Sequence, residues 1–125
     1  MDYLKSLEKK KVIDLPDNLK SLSVELPPKG HKADISCNAA MIFAKFNKKS
    51  SLDLANILKK NFLENFKEFK KIDVAKPGFL NINFKIDFWK NYLFEIIQSN
   101  ESYGSSKNLQ QKYNIEFVSA NPTGP

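Results

Sequence analysis

Apolar and polar residues recur along this chain with spacings that predict different elements. Leu4 and Leu7, inside the lysine-rich stretch 2–12, mark a short amphipathic helix. Leu22, Val24 and Leu26 alternate with Ser23 and Glu25, which predicts a strand ended by Pro27-Pro28-Lys29-Gly30. Ile35, Ala39, Ile42, Phe43 and Phe46 then fall on one face of a helix, with Asp34 or Ser36 as its cap. Asn47-Lys48-Lys49-Ser50-Ser51 breaks that pattern. A second stripe follows, carrying Leu54, Leu58, Phe62, Phe66 and Phe69, with Ser50 and Asp53 placed as a capping box.

The stretch KKIDVAKPGFLNINFKID reads as a β-hairpin. Ile72 and Val74 alternate with charged neighbours, Pro77-Gly78 supplies the turn, and Leu80, Ile82 and Phe84 alternate again. Proline second and glycine third suit a type II turn. Asp87 is placed to cap a further helix with Phe88, Tyr92, Leu93 and Ile96 on its stripe. Residues 99–112 are polar and read as a linker, and the chain ends on an alternating strand running into Asn-Pro-Thr-Gly-Pro. Strands joined by a hairpin, with helices grouped together, predict an α+β fold: a small antiparallel sheet in two layers with about four helices.

Composition narrows the class. Hydrophobic residues at 42% fit a folded domain, and ten Phe could supply much of the core. The longest apolar run, from Ala39 to Ala44, is far too short to span a membrane. The N-terminus lacks the apolar stretch of a secretory signal, and the single cysteine suits a reducing compartment. The expectation from these features is a soluble, single-domain, cytoplasmic protein; a monomer is expected as well. Net charge is +6, and all twenty basic residues are lysine. Lysine-favouring codon usage is the bland explanation. Either way lysine binds phosphate as a mobile point charge and cannot read guanine bidentately.

Little here resembles an enzyme's machinery. His31 has no cysteine beside it and sits in a Pro-Gly loop, so zinc ligation is implausible. Cys37 reads as small buried filler. No Gly-rich phosphate loop stands between a strand and a helix, and no carboxylate pair stands out. Neither a catalytic residue nor a metal site is assigned. The hairpin offers more. Alternation puts Leu80, Ile82 and Phe84 on one face and Phe79, Asn81 and Asn83 on the other. If the aliphatic row is buried, Phe79 becomes a stacking platform for an unpaired base and the amides can bond its edge. Lys70, Lys71, Lys76 and Lys85 lie close enough in sequence to attract phosphate. The competing reading makes Phe79 a plug over the turn and the Asn residues ordinary edge polar groups.

Three stretches carry a family likeness. NIEFVSANPTGP, at 114–125, resembles the segment preceding the His-Ile-Gly-His-type nucleotide-binding signature of class I arginyl-tRNA synthetases. ADISCNAAMIFAK and KPGFLNINF resemble the two signature stretches of that family's N-terminal additional domain. The resemblance implies a tRNA-binding additional domain over 1–99, a linker over 100–112, and the first strand of a catalytic domain over 113–125, cut before its signature. It implies contacts to the D-loop at the tRNA's outer corner from Lys76, Phe79 and Asn81. It also implies arginine contacts from Glu116, Ser119 and Asn121, one wall of a pocket. A carboxylate is the natural partner of a guanidinium. The full-length parent would be an arginine–tRNA ligase using ATP and Mg²⁺, with tRNA, L-arginine and ATP as partners. This fragment alone is expected to be inactive and without cofactor.

The hairpin chosen from alternation is the hairpin the resemblance chooses, which favours the functional reading of Phe79 and Asn81. One departure is Lys32-Ala33-Asp34, where many relatives have His-Gly-Asp, so a turn needing positive φ there must be built differently. Asn38 keeps the pattern and is expected to fix the local backbone rather than touch RNA. The alternative function is a stand-alone basic module that binds RNA or protein through its Phe-rich surface.

Overall fold

A computed structural model describes residues 2–105. The elements run α1 (Asp2–Lys9), β1 (Val24–Glu25), β2 (Ile35–Cys37), α2 (Ala39–Asn47), α3 (Ser51–Asn65), β3 (Phe69–Ala75), β4 (Phe79–Phe84) and α4 (Ile86–Ser99), then a 3-10 turn over Asn100–Ser102. The four strands form one antiparallel sheet in the order β1-β2-β4-β3. The expected α+β architecture holds, with the helices of the core stacked on one side of a small sheet.

Strand register explains which side. Cys37 lies opposite both Val24 and Leu80, and Leu80 opposite Val74. Ile35, Ile82 and Ile72 form the next row. These apolar rows meet α2 and α3, where Phe43, Leu54, Ala55, Leu58, Ile72 and Leu80 are fully buried. Leu7 of α1 and Ile13 close the same core, and Leu4 packs against it. Asn47 at the end of α2 accepts the Asp14 N–H through Oδ1 at 2.7 Å and donates through Nδ2 to the Asp14 carbonyl at 2.8 Å. Those bonds tie the N-terminal segment to the helix layer.

Several expectations give way to tertiary structure. The stripe beginning at Ile35 is not one helix: Ile35–Cys37 is a strand, and α2 starts only at Ala39, after Asn38. The spacing from Ile35 to Ala39 and Ile42 satisfies a helical period, but pairing with β4 satisfies the backbone of 35–37 instead. Asp34 and Ser36 therefore cap nothing. Asp34 accepts the Phe84 N–H through Oδ2 at 2.7 Å, and Ser36 lies opposite Asn81. The second stripe also overruns its helix, since α3 stops at Asn65, Phe66 is its C-cap and Phe69 opens β3. Phe62, Phe66, Phe69 and Phe84 still cluster, ring centroids 5.2–6.4 Å apart where they meet, so helical spacing persisted through an aromatic cluster. The first strand is only Val24–Glu25, and Leu26 is exposed.

At α3 the first half of the expected capping box forms, Ser50 Oγ accepting the Asp53 N–H at 3.1 Å, while Asp53 Oδ2 accepts the Ser50 hydroxyl at 2.6 Å in place of the Ser50 N–H. At α4 it does not, because Lys85 is the N-cap and Asp87 sits in the first turn. No residue of α4 is buried, although Phe88 stacks on Phe84 with centroids 4.1 Å apart. The hairpin turn differs from type II. Gly78 N–H donates to Ala75 O at 2.8 Å, which puts Pro77 third in the turn, and the Lys76–Pro77 peptide is cis. Ala33 does not have positive φ, so the segment entering β2 needs no glycine at that position. No described helix is long and apolar enough to cross a membrane.

Two predictions follow from this layering. Leu80→Ala removes a fully buried side chain and should cost about 2–5 kcal/mol in urea unfolding, whereas Phe79→Ala, one residue away on the opposite face, should cost well under about 1 kcal/mol. Equal losses would mean that the two faces are not segregated. Cys37 is buried on the core side, and that burial pushes its thiol pKa up from the ordinary value, only partly opposed by the Ala39 N–H. Its labelling by a thiol reagent at pH 8 should be slow in the native protein and fast in denaturant. Rapid native labelling would contradict the burial.

Candidate functional site

The sheet face opposite α2 and α3 carries no helix of the core, and the register decides what it displays. Glu25 lies opposite Ser36, Ser36 opposite Asn81, and Asn81 opposite Asp73, so one polar row crosses all four strands. On one side of it Ala75 pairs with Phe79, and on the other Lys71 pairs with Asn83. Opposite residues of antiparallel strands share a face, so these rows are neighbours.

Lys76, Phe79 and Asn81 line a single pocket of about 270 Å³ together with Ser36, Ala75, Ser23 and Glu25. Leu26, Pro28 and His31 from the loop after β1 form its far wall. Phe79 is 36% exposed, so its ring is available at the rim. Asn81 is different. It faces the helix-free side as alternation requires, yet it is only 7% exposed, because β2 and β3 flank it and the loop rises beside it. It forms the floor of the pocket rather than a projecting group. Its polar atoms are not sealed in, since no buried side-chain nitrogen or oxygen among the described residues lacks a partner.

Sequence reading missed Ser36, Glu25 and His31 as pocket residues. Ser36 was hidden by reading Ile35–Cys37 as helix, and its position opposite Asn81 is a property of pairing alone. Glu25 was recognised as strand, but nothing local shows that its strand lies two away from β4. The charges are mixed. Glu25 stands at the pocket, whereas the nearest acidic residue on β3, Asp73, is held by Lys71 at 2.7 Å. A carboxylate beside Asn and Ser favours a neutral, donor-rich edge over a phosphate.

The walls are fixed by side-chain bonds to backbone. Asn38 accepts the Ser23 N–H through Oδ1 and donates through Nδ2 to the Ser21 carbonyl, both at 2.9 Å. It thus anchors the chain entering β1, the backbone role expected for it. On the other side, Ser51 Oγ donates to the Pro77 carbonyl, docking the hairpin turn on the start of α3. Gly78 is buried there: a Cβ would stand 2.8 Å from Ser51 Cβ and 3.1 Å from its carbonyl oxygen. Only a glycine lets the backbone approach so closely. Among the described residues no cluster of three or more His, Cys, Asp or Glu could hold a metal ion. Glu116, Ser119 and Asn121, with the strand expected over 113–125, lie outside the described residues.

Comparison with known proteins places this geometry in context. Residues 2–84 match the family model described as arginyl tRNA synthetase N terminal domain. An arginine–tRNA ligase of Pelagibacter ubique is 46% identical over 123 residues, covering 98% of this chain and 21% of the relative. One from Ehrlichia ruminantium is 41% identical over 108 residues, covering 86% of this chain and 19% of the relative. One from Mesomycoplasma hyopneumoniae is 47% identical over 91 residues, 73% of this chain and 17% of the relative. The chain therefore spans about a fifth of the length of these curated relatives.

The close approach at Gly78 gives a test of how the pocket is held. Gly78→Ala forces the turn off α3 and should cost about 1–3 kcal/mol, read as a lowered midpoint of thermal unfolding. An unchanged midpoint would show that the turn is not docked on Ser51.

Proposed function

The chain belongs to the family of arginyl-tRNA synthetase N-terminal domains, and we propose on that footing that its helix-free sheet face recognises tRNA. The observation that supports this reading is the meeting of Lys76, Phe79 and Asn81 in one pocket. Phe79 presents a ring on which an unpaired base stacks, Asn81 and Ser36 bond the base edge from the floor, and Lys76 reaches the phosphate beside it. At about 270 Å³ and open to solvent, the site is smaller than the roughly 300–1,000 Å³ of small-molecule pockets. It suits one base of a larger ligand. The base belongs to the D-loop at the outer corner of the tRNA.

The relatives, each named arginine–tRNA ligase, support a wider assignment. In this reading the full-length protein is a cytoplasmic, monomeric ligase that joins arginine to its tRNA with ATP and Mg²⁺. Residues 1–99 are its recognition domain, 100–112 a linker, and 113–125 the first strand of the catalytic domain. Glu116, Ser119 and Asn121 contribute one wall of the arginine site.

The test is tRNA binding and aminoacylation by the full-length protein carrying Phe79→Ala or Asn81→Ala. A stacked base contributes about 1–3 kcal/mol, so Phe79→Ala should weaken binding by roughly fivefold to over a hundredfold, with arginine and ATP affinities unchanged. Asn81→Ala should weaken discrimination between tRNA transcripts that differ at the D-loop base. Wild-type affinity and aminoacylation in both variants would remove the role assigned to the hairpin.

A further inference from the structure

At the far end of β4 the same sheet face opens into a second, larger groove of about 680 Å³. Lys32, Lys70, Lys71 and Lys85 line it, with Phe84 and Trp89 as its apolar wall. Two carboxylates, Asp34 and Asp87, also line it. Asp34 accepts the Phe84 N–H, and Asp87 lies 3.9 Å from Lys90. Lys71 is paired with Asp73 at 2.7 Å. Among the described residues no carboxylate lies within ion-pair distance of Lys32, Lys70 or Lys85, and all three are exposed.

Local structure aims these lysines. Phe69 and Ile72 both turn toward the aromatic and aliphatic core, a spacing of three that strict alternation forbids. The register of β3 shifts between Phe69 and Lys71, so that Lys70 is the extra residue of a bulge. Both Lys70 and Lys71 consequently reach solvent on the groove side. Lys32 is brought over by two further bonds: Asn83 Nδ2 donates to the Lys32 carbonyl at 3.2 Å, and Asp34 N–H donates to the Ile82 carbonyl at 3.0 Å. Lys85 is held at the end of β4, its N–H donating to Glu68 O at 2.8 Å.

We infer that this lysine groove is the phosphate track of the same RNA ligand, a site separate from the base pocket and carrying no sequence preference of its own. The inference rests on the tRNA reading above. Phe79, Asn81 and Asn83 lie on one face of β4, four residues from end to end, or about 13 Å of strand. RNA that places a base against Phe79 and continues along β4 brings its next phosphates to Lys70, Lys85 and Lys32. The division is chemical as well as spatial. The base pocket sets a single lysine, Lys76, beside the carboxylate of Glu25, while the groove gathers Lys32, Lys70 and Lys85 and can attract a run of phosphates.

The experiment measures the salt dependence of binding of an arginine-accepting tRNA transcript to the full-length protein. Compared are the wild type, a triple variant Lys32→Gln, Lys70→Gln, Lys85→Gln, and a charge-matched variant Lys5→Gln, Lys9→Gln, Lys10→Gln on α1 and the turn that follows it. Each phosphate contact to single-stranded RNA contributes about −0.7 to the slope of log affinity against log salt. The groove variant should therefore lose about two units of slope and about tenfold or more in affinity, with unchanged preference among D-loop-base transcripts and an unchanged melting midpoint. The α1 variant should keep the wild-type slope. A wild-type slope in the groove variant, or an equal loss in the α1 variant, would overturn the phosphate track and leave the Phe79–Asn81 reading standing. A groove variant that loses slope while Phe79→Ala binds normally would support the track and sink the base pocket alone.

Discussion

The burial of Leu80 and Ile82 beneath α2 and α3 is the constraint on which the rest depends. These side chains are 0% and 4% exposed, on the strand second from one edge of a four-stranded sheet. A slip of one residue in β4 would exchange its two faces, sending Phe79, Asn81 and Asn83 into the helix layer and the aliphatic row into water. The transfer cost of two aliphatic side chains, about 1.5–3 kcal/mol each, fixes the register. Display on the open face is thus a by-product of core formation. The residues displayed there need contribute little to stability, so their identities are not dictated by the core.

That is why the hairpin was legible in the sequence and its surroundings were not. Period-two alternation around Pro77-Gly78 is a local signal, and it correctly separated Leu80 and Ile82 from Phe79, Asn81 and Asn83. β2 gave the opposite result. Ile35, Ala39 and Ile42 obey a helical period by coincidence, and only the ladder to β4, some 45 residues away, makes 35–37 a strand. Ser36 was lost with it. The depth of Asn81 was lost for the same reason, since its burial is set by flanking strands rather than by its neighbours in sequence. Phe69 shows a further way to be misled: it keeps helical spacing from Phe62 and Phe66 while lying in β3, because one aromatic cluster collects residues from α3 and the sheet. The terminal phrase from Asn114 to Pro125 was the most specific likeness in the chain, and it concerns residues outside the described structure.

Charge in this domain is distributed more finely than a net value of +6 conveys. A uniformly basic face would attract any polyanion without placing it. Here Glu25 and Asp73 lie in the same cross-strand row as Asn81, and the Lys71–Asp73 pair neutralises the boundary between pocket and groove. At a surface such a pair contributes little to stability, about 0–1 kcal/mol. Its consequence is local: it leaves Lys32, Lys70 and Lys85, none of them in an ion pair with a described carboxylate, as the majority charge at one end of the face. An all-lysine complement suits that division, because ammonium groups bind phosphate without reading bases.

The two ends of the face are also mechanically linked. The segment from Leu26 to Asp34 supplies Leu26, Pro28 and His31 to the pocket, and Lys32 and Asp34 to the groove. It has almost no regular structure of its own, so its position comes from backbone groups captured at both ends. Asn38 holds the chain before β1, while Asp34 and Asn83 lock the end of the segment to β4. Each of these bonds contributes about 1 kcal/mol net, less than a buried leucine, but they act on geometry. They keep the wall of the pocket and the lysine above the groove at a fixed separation along β4. A ligand that spans both sites then meets a preorganised surface, and binding need not order the loop first.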